Sequence, residues 1–463
     1  MVSTPTMLPE GDAMPAGQAT RSVCPVCLSR IPARRVIRDD RVHLEKECPD
    51  HGSYSVCIWD GDPSFSGWQR PKIPTCPTHP GHGVEKGCPF DCGLCPEHRQ
   101  RSCTIILEVT DRCNLGCPVC YADSRGRAED PALTTIEGWY EAAVRSGRGS
   151  NIQLSGGEPT LRDDLPRIVA MGRAAGFEFV QVNTNGLRLA RDEQFVQDLS
   201  TAGLSSIFLQ FDGTDDAIYR ELRGRPLLAE KKAAIEHCGR HGIGVVLVPT
   251  LVPGINAHDV GNLVRLAVAN TPVVRALHFQ PISYFGRFPD PPGDADRLTL
   301  PRLMRLVEEQ SGGECKAADF TPPGCENSLC SFSSNYLVLP GGRVRAIAGG
   351  GKCCTKPIPA LQGAEKAINY VARQWRGPDA CGPATTVEKM VMSADGSMDL
   401  DAFLQQARTH RFSVSAMAFQ DAWNLDLERV RDCCIHVMAP DLRLIPFCLY
   451  NLTSQTGERL YRP

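Results

Sequence analysis

Two cysteine triplets of one spacing, Cys88, Cys92, Cys95 and Cys113, Cys117, Cys120, constrain this chain more than any other feature. Each reads Cys-x3-Cys-x2-Cys. With 22 cysteines in 463 residues, chance would place two such copies roughly one time in a thousand, so metal ligation is the reading. No charged start followed by an apolar core opens the chain, so a reduced, cytoplasmic setting is expected, where clustered thiols hold metals rather than disulfides. A third group joins Cys24 and Cys27 to Cys48, with His51 at knuckle spacing behind it. Its fourth ligand is open among His51, Cys57 and Cys76, and its metal is open between zinc and mononuclear iron. Iron-sulfur clusters normally take four thiolates, so each triplet needs one ligand from elsewhere, a distant cysteine or a small molecule.

Composition removes several classes of function. Fifty Lys and Arg against fifty-three Asp and Glu leave a net charge of -3, which gives no electrostatic footprint for nucleic acid. Arg34, Arg35, Arg38 and Arg41 form the densest basic stretch, and Asp39 and Asp40 dilute it. Apolar runs such as 244–252 fall far short of the roughly 20 residues that span a bilayer. A soluble cytoplasmic protein, at most peripheral to a membrane, is expected. The length suggests two to three domains: a disordered tail over 1–22, a metal-knuckle and auxiliary-cluster region over 23–100, a core over 101–312 and a cysteine-containing C-terminal region over 313–463.

From 103 onward, short apolar runs alternate with helix-like stretches. Strands are expected at 103–109, 151–154, 178–183, 206–211, 244–251 and 274–279. Helices are expected near 136–145, 165–175, 193–202, 228–241, 259–269 and 300–309. Six strand-helix units in a row predict an α/β fold with a parallel sheet curled into a partial (βα)6 TIM-like barrel, because right-handed crossovers place the helices on one side. Ligands in such folds gather where the strands end. The first strand runs into the second triplet, the second into Gly156-Gly157-Glu158-Pro159, the third into Asn185-Gly186 and the fourth into Asp212-Gly213.

A Cys-x3-Cys-x2-Cys triplet followed by the aromatic Tyr121, with Gly-Gly-Glu-Pro at the end of the next strand, resembles the radical S-adenosylmethionine (SAM) superfamily. The resemblance implies a 4Fe-4S cluster on Cys113, Cys117 and Cys120 whose free iron binds the amino and carboxylate groups of SAM. It places Gly156, Gly157, Glu158 and Pro159 beside the methionine moiety, and Asn185 and Asp212 near the nucleoside. Reductive cleavage of SAM would give a 5'-deoxyadenosyl radical that takes hydrogen from an unactivated carbon, with a ferredoxin, flavodoxin or reductase as electron donor.

The knuckle, the 86–98 triplet segment and the tail from 421 to 451 together resemble the archaeal tetraether synthase group, first described as methylases with two radical SAM motifs. That likeness implies an auxiliary 4Fe-4S cluster on Cys88, Cys92 and Cys95 and a further one on C-terminal cysteines. Cys433 and Cys448 lead that second set, with Cys330 and Cys325 as further candidates and Cys353, Cys354, Cys381 and Cys434 as spares. Cys238 is expected as a small apolar side chain inside a helix, and His79 and His82 as solvated loop residues. The group implies carbon-carbon bond formation on lipid chains, hence a lipid or other apolar substrate. The alternatives are a methylase using a folate-type or pterin-type donor and a modifier of peptide or RNA. A non-enzyme reading, an electron carrier or zinc-ribbon scaffold, leaves Gly156 to Pro159 unexplained.

Overall fold

A computed structural model describes residues 19–77, 83–124, 126, 129–147, 149–347, 357–377 and 400–462. The first described segment is a four-stranded antiparallel meander: β1 (Ala19–Val23), β2 (Arg30–Arg38), β3 (Arg41–Cys48) and β4 (Gly52–Asp60), paired in chain order. β1 begins inside the stretch expected as a tail, and residues 1–18 lie outside the described residues. β2 and β3 alternate buried and exposed positions, as strands with one solvated face do.

The large sheet follows. Its strands are β5 (Thr104–Thr110), β6 (Asn151–Gly156), β7 (Val180–Thr184), β8 (Ser206–Gln210), β9 (Gly244–Val248), β10 (Val274–Pro281), β11 (Ser331–Val338), β12 (Val344–Ala346), β13 (Arg411–Met417), β14 (Ile435–Met438) and β15 (Leu444–Pro446). Helices α1 (Leu133–Ser146), α2 (Leu165–Ala174), α3 (Leu187–Arg191), α4 (Glu193–Thr201), α5 (Asp216–Arg223), α6 (Leu228–Arg240) and α7 (Val260–Ala269) lie between the first six of these strands, and α8 (Leu300–Gln310) and α9 (Ala360–Gln374) come later. α1 shows why such segments become packed helices: Ile136, Trp139, Tyr140 and Ala143 recur at three- and four-residue spacing and are all buried.

The expected parallel α/β barrel is present, and it is wider than six strands. β14 pairs in parallel with β5 at one edge and β13 in parallel with β10 at the other, giving the eight-strand parallel run β14-β5-β6-β7-β8-β9-β10-β13. β11 and β15 add antiparallel strands outside these. Both added parallel strands come from the region after 400, far in sequence from the strands they join. Side chains from β5, β13 and β14 line one interior cavity, so the sheet is curled rather than flat. Among the described residues no helix is long and apolar enough to cross a membrane.

The N-terminal meander is tied to the C-terminal region through buried polar contacts. Arg35 donates to Asp426 Oδ2 at 2.8 and 2.5 Å, Thr20 donates to Asp426 Oδ1 at 2.8 Å, and the Lys46 ammonium donates to the Ala422 carbonyl at 2.7 Å.

Candidate active site at the barrel mouth

The strand ends that carry Cys113, Cys117, Cys120 and the Gly-Gly-Glu-Pro segment bond directly to each other. Gly157 N–H donates to Thr110 O (2.8 Å) and Glu158 N–H to Arg112 O (2.7 Å). A Cβ at position 156 would stand 2.2 Å from Thr110 O, and one at 157 would stand 2.2 Å from Arg112 O, so only glycine permits this approach. The cysteine loop is therefore held flush against the end of β6. Its far side is pinned by Arg287, which exchanges two backbone hydrogen bonds with Cys120, donates to the Cys117 carbonyl at 2.9 Å and pairs with Asp123 at 3.0 Å.

Glu158 is almost wholly buried. Its Oε1 accepts from Thr160 N (3.1 Å), Thr160 Oγ1 (2.5 Å) and Thr184 Oγ1 (2.6 Å), while Oε2 accepts the Asn185 N–H at 2.7 Å. The carboxylate thus fixes the end of β7. Asn185 reaches back to the cysteine loop, donating from Nδ2 to Asn114 Oδ1 at 2.7 Å. Tyr121 packs on Phe447 with ring centroids 5.5 Å apart, and its hydroxyl meets Ser155 Oγ at 2.9 Å. Pro159 opens a short 3-10 turn and is buried beneath the mouth.

Cys113, Cys117, Cys120, Tyr121, Gly156, Gly157, Glu158 and Asn185 all line one cavity of about 560 Å³. Asp212 does not. It is fully buried and bound on both oxygens by Arg223 at 2.8 Å, and Arg223 is the residue that lines the cavity. The polar contact expected of Asp212 passes to Arg223, because a carboxylate at the end of β8 finds the guanidinium at the end of α5 before it finds solvent. Burial, with the Glu158 carboxylate and the two other thiols adding to it, pushes the Cys113 thiol up to about 11. A cationic metal centre is what would hold it as thiolate.

The radical SAM superfamily profile matches residues 107–267, and the profile described as the HMPTM N-terminal zinc ribbon domain matches residues 17–60. A 7,8-dihydro-6-hydroxymethylpterin dimethyltransferase of Methanocaldococcus jannaschii is 34% identical over 477 residues, 93% of each chain. The chain belongs to the radical SAM superfamily. A GTP 3',8-cyclase of Erythrobacter litoralis is 26% identical over 296 residues, 60% of this chain and 84% of that one. The crystal structure of Streptococcus suis SuiB aligns over 46% of each chain with a TM-score of 0.39 and 16% identity.

As a radical SAM enzyme the chain uses a 4Fe-4S cluster and SAM, and the mouth suits them. It offers three thiols from one loop, two side-chain-free glycines and a cavity deep enough for a second molecule.

The remaining cysteines fall into separate groups. Cys24, Cys27, Cys48 and His51 bring their ligand atoms within 4.8 Å of one another, with His51 Nδ1 3.6 Å from Cys24 Sγ and 3.4 Å from Cys48 Sγ. Four ligands at that spacing fit one tetrahedral ion. Cys57, weighed as an alternative ligand, points instead to the Trp59 carbonyl, and Cys76 is exposed. Cys88, Cys92 and Cys95 are buried under the C-terminal tail, where the Tyr461 hydroxyl accepts the Cys92 N–H and donates to Pro89 O. Cys330, Cys433 and Cys448, joined by Cys434, line a second cavity of about 30 Å³. Cys325 is absent from that lining and sits with Cys103 instead. Cys238 is buried in α6. Cys353, Cys354, Cys381, His79 and His82 lie outside the described residues.

Below the mouth the cavity wall is mostly apolar, with a set of carboxamides built into it. Gln153, Gln181, Asn183, Gln210 and Gln280 line the cavity from β6, β7, β8 and β10. Gln153 and Gln181 are in register across β6 and β7 and share a 2.7 Å hydrogen bond. Phe208, His278 and Trp375 form an aromatic group on the same wall, with centroids 5.5 to 6.0 Å apart. Burial lowers the His278 imidazole to about 4, so it is neutral. Asn183 and Trp375 also line the cavity, while their Oδ1 and Nε1 atoms are buried from it and, among the described residues, have no hydrogen-bond partner.

Proposed function

We propose that this radical SAM enzyme methylates a small planar nitrogen heterocycle of the pterin class. Carboxamides present a donor and an acceptor side by side, matching the amide and amino edge of such a ring, and aromatic faces supply a stacking surface. That lining is the observation that carries the reading. The M. jannaschii relative, named for transfer of methyl groups to a hydroxymethyl dihydropterin, supports it. Lipid coupling draws no such support.

In this reading Cys113, Cys117 and Cys120 hold the cluster, and Gly156, Gly157, Glu158, Asn185 and Arg223 receive SAM. The bound cluster and SAM together supply a 5'-deoxyadenosyl radical as the hydrogen-abstracting agent. The barrel holds a substrate carbon beside it and keeps water away. Cys24, Cys27, Cys48 and His51 hold a structural zinc ion, and the Cys88 triplet and the Cys330, Cys433, Cys448 group hold auxiliary clusters.

The test is anaerobic turnover of the reconstituted protein with SAM as radical source, reductant, a folate-type one-carbon donor and 6-hydroxymethyl-7,8-dihydropterin. A pterin product heavier by one or two CH2 units is expected. Unchanged pterin, alongside acyl chains joined with loss of two hydrogens, would replace this reading with lipid coupling.

A further inference from the structure

The barrel cavity has thiols at both ends. Cys103 immediately precedes β5 and Cys434 immediately precedes β14, so both sit at the N-terminal ends of neighbouring parallel strands, opposite the mouth. Cys325 arrives from the loop before β11. The three ligand atoms lie within 4.8 Å of one another, all three residues are buried, and all three line the same cavity as Cys113, Cys117 and Cys120.

We propose that Cys103, Cys325 and Cys434 bind a single soft divalent ion, zinc or ferrous iron, that closes the lower end of the cavity. The sulfurs of Cys103 and Cys325 meet at bonding distance, yet their Cα atoms are 7.7 Å apart, beyond the 4.4–6.8 Å that disulfides usually span. A third thiol stands beside them, which a disulfide does not require. With metal-sulfur bonds of about 2.3 Å, two ligand sulfurs on a tetrahedral ion lie about 3.8 Å apart, and that longer bridge suits the backbone separation.

The backbone around the group is already fixed. The Cys434 carbonyl accepts the N–H groups of Cys103 (2.7 Å) and Thr104 (3.2 Å), while the Cys325 carbonyl accepts from Lys72 Nζ and Gln100 Nε2, each at 2.9 Å. Glu326 stands beside the group: its Oε2 is 3.7 Å from Cys434 Sγ, outside the set of mutually close ligand atoms, and its Oε1 accepts the Ser331 hydroxyl at 2.5 Å. Three thiolates suit zinc or iron. The ion would join three chain segments separated by more than 100 residues each.

Zinc, iron and acid-labile sulfide are measured on full-length protein purified without oxygen, for the parent chain, Cys434→Ser and Cys434→His. The proposal expects Cys434→Ser to lose one zinc or iron per chain with sulfide unchanged, and Cys434→His, which keeps a ligand, to retain it. Loss of about four iron and four sulfide would overturn the single-ion assignment in favour of a cluster; unchanged metal would overturn it altogether. Should both variants fail to fold, thiols are counted in the parent chain, denatured with chelator and no reductant. A full count of 22 cysteine thiols is expected, and two fewer would establish the disulfide instead.

Discussion

The N-terminal ribbon and the barrel mouth are both cysteine knuckles, and they differ in what surrounds the fourth position. In the ribbon His51 stands at it, with its ligand atom within 4.8 Å of the three sulfurs, and the four residues stand clear of the large cavity. At the mouth Cys113, Cys117 and Cys120 face that cavity, and no fourth thiol accompanies them in the loop. Closed sites hold a fold together, and sites with an open position bind something that reacts. Ligand number at similar spacing thus separates a clasp from a catalytic centre.

That contrast can be broken most forcefully at the mouth. Replacing Cys113, Cys117 and Cys120 together by Ala should abolish SAM cleavage, read as 5'-deoxyadenosine, while zinc in the ribbon persists. Zinc lost with cleavage would mean that the two sites are not independent. Next in size is the ribbon's attachment. Arg35→Ala leaves the fully buried Asp426 without its cation, which should cost about 3–5 kcal/mol of stability. Arg34→Ala, on a side chain 69% exposed, should cost under about 1 kcal/mol in the same denaturant titration.

Two smaller effects sharpen the account of the cavity wall. Trp375→Leu should raise KM for the pterin about tenfold, with kcat and the SAM requirement retained, since it removes stacking area. An equal fall in kcat would place Trp375 in the chemistry instead. His278 is held neutral by burial, at about 4 against an ordinary 6.5, so the unfolded chain binds the extra proton between those values. Its contribution should be intact above pH 6.5 and decline as pH falls toward 4, by about 3 kcal/mol at most. His278→Gln should flatten that part of the stability curve in acid denaturation; an unchanged slope would assign it to the other histidines that burial lowers, His98, His410 and His436.

The six strand-helix units were legible because each strand is a short apolar run between turn signals, and their ends fall within about three residues of those expected. The flanking strands β13 and β14 were not. They enter the sheet after long separations, and local periodicity carries no record of a partner that distant. Helices α3 and α5 are too short for a periodic signal. The mouth was readable because its chemistry sits in two contiguous motifs, whereas Arg223 and Arg287 come to it through tertiary packing alone. One available signal was overlooked. Strands of a parallel sheet buried on both faces should be apolar throughout, yet Gln153 and Ser155, Gln181 and Asn183, and His278 and Gln280 are polar residues spaced two apart in such strands. Polar alternation there marks side chains that face a cavity.

The most direct measurement of the central claim uses 6-hydroxymethyl-7,8-dihydropterin deuterated at its carbon-bound positions. Incubated with SAM and reductant, it should deliver a single deuterium into the 5'-deoxyadenosine formed, detected as a gain of one mass unit. Deuterium-free 5'-deoxyadenosine from that substrate, together with label transfer from a deuterated acyl chain, would contradict the claim.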